Sequence, residues 1–249
     1  MERLTCKKEN GLFCGLEAFH GVIEIKDEKE KLSHLSSQFE AIAKDVILGG
    51  CFEINGMRRI YPLEIEFYYH EEGEDGLKDP VMYHTADHEK VAPKYFPLGA
   101  LNCHLSGIDV TFENKEKQYR ASFLIRKYRV CEYESGEWVE KKECEKRSTY
   151  IYEDMFMNIP LSDGINVKWV NVEPINLAEE ILSNPRINVA EYERDNNGKY
   201  ERDNNGKFRK VEISGDDYNK LSKDEKDDYF SYSGKRLKMC KRMWNYYKK

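Results

Sequence analysis

The chain has 249 residues, of which 40% are hydrophobic and 35% are charged, and its formal net charge is −6 at pH 7. This length and apolar content suffice for one sizeable core, so we expect a single domain over residues 1–249. The acidic balance argues against indiscriminate nucleic-acid binding, because Lys and Arg contacts to phosphates supply most non-specific affinity. The sequence has neither a run of roughly 18 apolar residues nor a signal-peptide core, which predicts a cytoplasmic protein without membrane contact.

The cysteines and histidines give no strong metal or disulfide signal. The seven cysteines are odd in number, widely spaced and never arranged as Cys-x-x-Cys, which predicts reduced thiols. His84 and His88 have a spacing that would suit one helix face, with Asp87 between them. They lie between loop signals and lack a third ligand at a known distance, so we predict no metal site.

The first 60 residues predict strands, a helix and a hairpin. Alternation over residues 19–25 predicts one or two short strands within residues 1–26. Over residues 29–48 apolar residues recur at helical spacing, and Gly49–Gly50 ends the predicted helix. Asn55–Gly56 is typical of a two-residue hairpin turn, which leads into the next strand.

Residues 61–69 carry the first candidate site. Their β-branched and aromatic composition predicts a strand, with the proline at position 62 at its start or edge. Alternation places Glu66 and Tyr68 on one face and Tyr69 on the other. A carboxylate beside an aromatic ring can activate a water while the ring stacks on a flat substrate. The alternative is an edge strand with a solvated charged face.

Two further strands carry charged candidates. Residues 106–112 alternate and place Asp109 on the polar side, after a Gly-containing hairpin over residues 99–107. Asp109 could share acid and base roles with Glu66, or it could bond to a turn. Arg126 follows three apolar residues in the next strand, so it should pair with a buried carboxylate or reach a phosphate or water.

The last third of the chain contains a repeat and a basic segment. Residues 175–182 predict a short helix, and residues 192–199 are repeated identically at 200–207, which predicts a hairpin or mobile loop over 191–210. Residues 235–249 are basic and aromatic, which favours either DNA contact or a terminal helix packed on the core. The predicted DNA-binding residues are Lys235, Arg236, Lys238, Lys241 and Arg242.

These segments together resemble the alkyladenine (3-methyladenine) DNA glycosylase family. The resemblance covers residues 35–130 and rests on Glu-Ile-Glu-Phe-Tyr ending at Tyr68, a downstream His84, the hairpin at 99–107 and Leu-Ile-Arg ending at Arg126. It implies an α+β fold in which helices flank a curved, mostly antiparallel sheet. It also implies a monofunctional DNA glycosylase that extrudes a nucleotide and hydrolyses its N-glycosidic bond, leaving an abasic site. Such an enzyme needs no metal and no cofactor.

The resemblance implies roles for individual residues. Glu66 would activate the water, Arg126 would orient the water or a phosphate, and Tyr68 and His84 would sandwich the base. Exchange of Glu66 for Gln would then abolish excision and leave binding intact. The remaining residues expected at the substrate pocket are Tyr69, His104, Asn114 and Arg186.

The chain departs from the family at the hairpin and in the pocket. Where the family has a tyrosine that wedges into the duplex, residues 102–107 read Asn-Cys-His-Leu-Ser-Gly, so His104 or Leu105 would be the wedge. The pocket asparagine of the family falls near Glu113, beside Asn114. The excised base is therefore expected to be an alkylated purine or a hypermodified phage-type base, and the latter would make this a defence enzyme.

The expected partner is double-stranded DNA carrying a modified base, bound by a monomer that would associate with the nucleoid when acting. Two alternatives stay open. One is a non-catalytic nucleic-acid-binding module, which a buried Glu66–Arg126 pair without a pocket would favour. The other is a hydrolase of free nucleosides or nucleotides, which would not need residues 235–249.

Overall fold

The computed structural model describes residues 11–73, 75–82, 85, 94–144, 148–159, 164–172, 180–187, 189–196, 200–204 and 209–248. The helices are α1 Gly11–Ala18, α2 Glu28–Gly49, α3 Ile151–Phe156, α4 Gly215–Lys220 and α5 Lys223–Lys226. The strands are β1 Gly50–Ile54, β2 Arg58–Glu71, β3 Leu101–His104, β4 Gly107–Thr111, β5 Tyr119–Glu134, β6 Glu137–Cys144, β7 Val167–Asn171, β8 Ile181–Asn184, β9 Glu212–Ile213, β10 Tyr229–Tyr232, β11 Lys235–Lys238 and β12 Asn245–Lys248.

The described strands form one large and one small antiparallel sheet. Nine of them make the large sheet, in which β3, β4, β5, β2, β1 and β7 are consecutive neighbours, β6 pairs with β5, and β12 lies between β2 and β8. Strands β10, β11 and β9 make the small sheet. The predicted α+β fold with a mostly antiparallel sheet and flanking helices is confirmed.

Helix α2 packs its apolar face on one side of the large sheet. The Asp27 side chain caps the helix by accepting a hydrogen bond from the Glu30 N–H at 2.8 Å, and the helix ends at Gly49 as the sequence predicts. Phe39 is fully buried and stacks on Phe67 of β2, with 4.4 Å between ring centroids. Burial of each such aromatic side chain contributes about 1.5–3 kcal/mol, so this face holds the main core.

Strand β2 lies inside the sheet and not at its edge. Over residues 58–71 it pairs with β5, and a register shift occurs at Pro62, where the missing N–H and a bulge coincide. Asn55 and Gly56 have φ values of 51° and 69°, as the predicted hairpin turn requires. The edge-strand alternative for residues 61–69 is therefore wrong.

Two local predictions are wrong. Residues 11–18 form α1 in place of strands, because Leu12, Phe13 and Leu16 share one buried helical face. Of the predicted helix over 175–182, residues 175–179 lie outside the described part, whereas 181–182 belong to β8.

The basic C-terminal segment is part of the sheets and not a separate tail or helix. Strand β12 pairs with β2, so that Asn245 lies opposite Glu66. The side chains of Trp244 and Tyr246 are buried in the core, as the packing alternative predicts. Removal of residues 235–249 would therefore destroy the fold and cannot test the role of their charges.

The two copies of the repeat pair with each other where they are described. The N–H groups of Glu193, Glu201 and Arg209 bond in a ring: Glu193 to the Arg209 carbonyl, Glu201 to the Glu193 carbonyl and Arg209 to the Glu201 carbonyl, each at 2.9 Å. The Arg209 guanidinium pairs with both carboxylates, at 3.0 and 2.7 Å. The three residues are spaced by one repeat length, so both copies contribute to one hydrogen-bonded unit.

Two global features complete the description. Cys14, Cys51, Cys103, Cys131 and Cys240 are free thiols. Over the residues described, no helix combines the length and the apolar character that crossing a membrane requires.

Candidate functional site

A cavity of about 360 Å³ lies on the face of the large sheet opposite α2. Its sheet residues include four that the sequence predicts, namely Tyr68, His104, Asp109 and Arg126. The remaining lining residues are Val81, Met82, Ser106, Ser122, Leu124, Ile187, Val189, Lys210, Phe230, Tyr232 and Leu237. This volume is within the range of small-molecule sites, so the cavity can hold one ring-sized ligand.

Strand register brings the polar residues to this face. Leu124 of β5 lies opposite Glu66 on one side and opposite Asp109 on the other. The two carboxylates are therefore on one row, about 10 Å apart at the backbone. Because side chains alternate along β5, Ser122 and Arg126 share this face with Leu124.

Glu66 is completely buried and its carboxylate is committed to protein donors. Arg126 Nη2 donates to Oε1 at 2.5 Å, the Tyr68 hydroxyl donates to the same oxygen, and the Ile187 N–H donates to Oε2 at 2.6 Å. Arg126 Nη2 also lies 3.1 Å from the Tyr68 hydroxyl. With three donors and no exposed surface, Glu66 is arranged to fix Tyr68 and Arg126 and not to bind a water.

The charges in this network reinforce one another. Burial, together with the negative charge of Glu66, raises the pKa of Tyr68 well above its usual range. Burial alone would lower the pKa of Arg126, but the neighbouring Tyr68 and Glu66 outweigh it and raise that pKa. Tyr68 therefore remains a neutral donor and Arg126 remains a cation at any physiological pH.

The Asp109 carboxylate faces the cavity, and one of its oxygens has no hydrogen-bond partner among the described residues. Its side chain is nearly buried, and its Oδ2 lies 3.2 Å from His104 Nε2. The Ser106 N–H donates to His104 Nδ1 at 3.2 Å, so Nε2 is the ring nitrogen that faces Asp109. Asp109 Oδ1 has no hydrogen-bond partner within the described part of the chain.

Two more cavity residues have a buried polar atom without a hydrogen-bond partner in the part of the chain that the structure describes. Neither Ser122 Oγ nor Arg126 Nε has a partner among the residues described, and both side chains line the cavity. Buried polar atoms usually have partners, because desolvation without a hydrogen bond is costly. The Asp109 oxygen, the Ser122 hydroxyl and the Arg126 N–H can therefore each bond to a ligand or an ordered water in the cavity.

Two predicted pocket residues lie elsewhere. Tyr69 points into the helix-side core, where its hydroxyl donates to Glu71 at 3.0 Å and accepts the Val22 N–H at 3.1 Å. Asn114 belongs to a turn, in which its side chain accepts the Lys117 N–H at 2.9 Å. Strand alternation keeps Tyr69 out of the cavity. Asn114 does not reach the cavity because it lies in the turn before β5.

Arg186 lies behind the cavity wall. It forms an ion pair with Asp79 at 2.5 Å, and both side chains are buried. Its guanidinium carbon is 5.5 Å from the centroid of the Tyr68 ring, on which it packs as a cation–π pair. Burial would raise the pKa of Asp79, but Arg186 and Arg242 outweigh it and lower that pKa. Arg186 can support Tyr68 without lining the cavity.

The predicted DNA-binding cations make contacts within the protein. Lys235 pairs with Glu212 at 2.6 Å, Lys238 with Glu191 at 2.9 Å and Lys241 with Asp228 at 2.8 Å. Arg242 donates to the Lys78 carbonyl and to the Tyr200 hydroxyl, and Arg236 lies over the Tyr218 ring. These contacts neutralise much of the charge that the sequence assigns to DNA.

The three residues considered as metal ligands from the sequence, His84, Asp87 and His88, lie outside the described residues. In the part of the chain that is described, no group of His, Cys, Asp and Glu side chains is spaced to hold a metal ion.

Several cavity residues were not predicted from the sequence. Ser122 could have been found, because it precedes Arg126 by four positions in a predicted strand and therefore shares its face. Phe230 and Tyr232 reach the cavity from the small sheet, and Lys210 reaches it from the segment just before that sheet. No local pattern indicates that this sheet packs over β4 and β5.

Comparisons with protein-family models, with curated proteins and with solved structures found no match to this chain. The glycosylase resemblance therefore rests on the order of motifs, and the function must be argued from the cavity.

Proposed function

We propose that this protein is a monofunctional DNA glycosylase that accepts one extruded, modified nucleobase in the cavity and hydrolyses its N-glycosidic bond. The observation that carries the proposal is the uncommitted oxygen of Asp109, which faces a ring-sized cavity beside the Tyr68 ring. A carboxylate that is oriented by the fold and open to a ligand is the group that such a hydrolysis needs.

The proposal changes the catalytic residue from Glu66 to Asp109. In the proposed reaction a water bound to Asp109 Oδ1 gives a proton to the carboxylate, and its oxygen forms a bond to C1′. The bond between C1′ and the base nitrogen breaks, and its electron pair leaves with the base. Asp109 also stabilises the positive charge that develops on the sugar. His104 holds Asp109 in place.

Glu66, Arg126 and Tyr68 position the substrate in this proposal. The Tyr68 ring stacks on the base, while its hydroxyl is anchored on Glu66. The free Nε of Arg126 and the hydroxyl of Ser122 donate to the base or to the sugar. No step needs a metal or a cofactor. His84 lies outside the described residues, so its role in stacking stays a prediction of the resemblance.

One exposed residue supports DNA as the source of the base. Leu105 is 97% exposed at the tip of the β3–β4 hairpin, between His104 and Ser106, which both line the cavity. Proteins that unstack DNA insert an apolar side chain between base steps at the site of distortion. Leu105 is suited to fill the space that the extruded nucleotide leaves, so it is a better wedge than His104.

A hydrolase of free nucleosides or nucleotides is the second candidate. The observation that favours it is the pairing of Lys235, Lys238 and Lys241 with carboxylates, which leaves little of the predicted DNA-binding charge. The non-catalytic binding module is favoured by the buried Glu66–Arg126 pair alone. The adjoining cavity and the free Asp109 oxygen weigh against it.

The test is to incubate the purified protein with a panel of DNAs and, separately, with the corresponding free nucleosides. The panel comprises plain, methylated-purine, deaminated and hypermodified-phage DNA, and the readouts are released bases and abasic sites. Release from one DNA supports the proposal and names the base. Release only from nucleosides supports the second candidate, and binding without release supports the non-catalytic module.

A further inference from the structure

The mouth of the cavity carries a second arrangement of aromatic and basic side chains. Tyr232, at the end of β10, is 57% exposed although it lines the cavity. Lys210 Nζ lies 5.2 Å from the centroid of its ring. Phe230, two positions earlier on β10, lines the cavity on the same face of the strand. An exposed ring and a cation thus border the opening.

Lys210 differs from its basic neighbours in having no acidic partner among the residues that the structure describes. Arg209 pairs with Glu193 and Glu201, and Lys235, which lies opposite Tyr232 in the small sheet, pairs with Glu212. Within the part of the chain that the structure describes, no carboxylate is within ion-pair distance of Lys210, and its contact is the Tyr232 ring. Its positive charge is therefore available to a ligand at the mouth.

We infer that Lys210 and Tyr232 form a platform for the nucleotide next to the one in the cavity. On this inference, which rests on the proposed function, the Tyr232 ring stacks on an unpaired or partly unstacked base. Lys210 contacts the phosphate between that base and the extruded nucleotide. An aromatic ring beside a free cation is the combination with which proteins bind single-stranded stretches without reading their sequence.

The position of the platform agrees with that of the hairpin tip. Tyr232 comes from the small sheet and Lys210 from the segment just before it, whereas His104 and Ser106 flank the turn between β3 and β4, and these four residues line the same cavity. A nucleotide in the cavity would thus be near both the platform and the hairpin turn that carries Leu105. The distorted part of the duplex, and not its regular backbone, would supply most of the contact.

The test measures binding without catalysis. Asp109→Asn is the background in which fluorescence anisotropy records the affinity for a labelled duplex that carries one stable abasic-site analogue. Tyr232→Ala should weaken binding about fivefold to 150-fold, which corresponds to the usual loss of one base–aromatic stack. Tyr232→Phe keeps the ring and should restore the affinity, which separates loss of stacking from damage to the small sheet.

The lysine is tested through salt dependence. Lys210→Gln should lower the slope of log affinity against log salt by about 0.7–0.9, since one phosphate contact is lost. Two exposed residues that do not line the cavity serve as controls. Tyr133→Ala is at the far end of β5 and Lys29→Gln is on α2, and both should leave affinity and slope unchanged.

The outcomes separate this inference from the proposed function. If the parent releases a base but Tyr232→Ala and Lys210→Gln bind like the background, the platform is wrong and the glycosylase proposal survives. If no DNA releases a base but binding depends on Tyr232 and Lys210, the platform stands and the enzymatic proposal fails. Absence of binding in the background variant overturns the platform as well.

Discussion

The two faces of the large sheet are built from the same strands but in opposite ways. On the helix side, Phe67 and Phe123 from neighbouring strands pack in a dry aromatic core with Phe39. On the other side, the alternate residues of those strands include Glu66 and Ser122, which lie in or beside a polar cavity. One face is closed by complementary shape, whereas the other has buried polar atoms that no described residue satisfies. We expect stability to depend mainly on the first face and ligand binding on the second.

The largest effect on stability should come from the aromatic face. Phe67→Ala removes a fully buried ring and should lower the free energy of unfolding by about 4 kcal/mol, because a cavity adds to the lost burial. Denaturant unfolding measures this change, and Phe67→Leu should cost less because it retains most of the volume. A loss below about 1 kcal/mol for the Ala variant would show that this face is not the main core.

Loss of the buried Asp79–Arg186 ion pair behind the cavity should have the second-largest effect on stability. Asp79→Asn leaves the Arg186 charge uncompensated and should cost about 3 kcal/mol at pH 7. The fold lowers the pKa of Asp79 below its ordinary value of 3.8. The stabilisation is therefore complete above that value and is lost as the pH falls through the lower, folded-state pKa.

Unfolding curves of parent and Asp79→Asn at several pH values test this sign. The difference in unfolding free energy between the two proteins should be constant near neutrality and should narrow as the pH falls below about 4. A difference that grows on acidification would mean that Asp79 is not held in its charged form.

Glu66→Gln should have a smaller effect on stability. The new amide keeps one acceptor oxygen but turns an N–H₂ group toward Ile187 or toward Arg126, so that donors face each other. We expect a loss of about 2 kcal/mol in unfolding free energy. If the variant unfolds like the parent, the Glu66 network is not the anchor of Tyr68 and Arg126 that the geometry indicates.

The smallest effect on stability should come from Ser122→Ala. Its hydroxyl is buried without a partner among the described residues, so its removal should change the unfolding free energy by no more than about 0.5 kcal/mol or even raise it. Ligand affinity should fall if that hydroxyl serves the substrate. A large loss of stability would show that Ser122 has a structural partner, such as an ordered water.

Much of the sheet could be predicted from local pattern. The spacing of Phe39 and its neighbours defines α2, and alternation correctly places Glu66 and Tyr68 on one face. The same rule assigns Tyr69 to the core. Its inclusion in the substrate pocket followed the resemblance and was wrong, because alternation in a strand excludes adjacent residues from one face.

What sequence could not supply were contacts between distant segments. Strand β12 is basic and aromatic, and only its pairing with β2 decides that Trp244 and Tyr246 belong to the core. Equally, no pattern shows that Ile187 would donate to Glu66 and occupy the carboxylate. The choice between Glu66 and Asp109 thus depends on tertiary hydrogen bonds, which a motif does not encode.

The central claim is that Asp109, and not Glu66, supplies the catalytic carboxylate. Its most direct test is the single-turnover rate of base release by Asp109→Asn, on the DNA from which the parent releases a base. We predict a loss of at least about 100-fold, as expected for removal of a general base, with a thermal unfolding midpoint close to that of the parent. An unchanged rate in a folded Asp109→Asn protein would contradict the account.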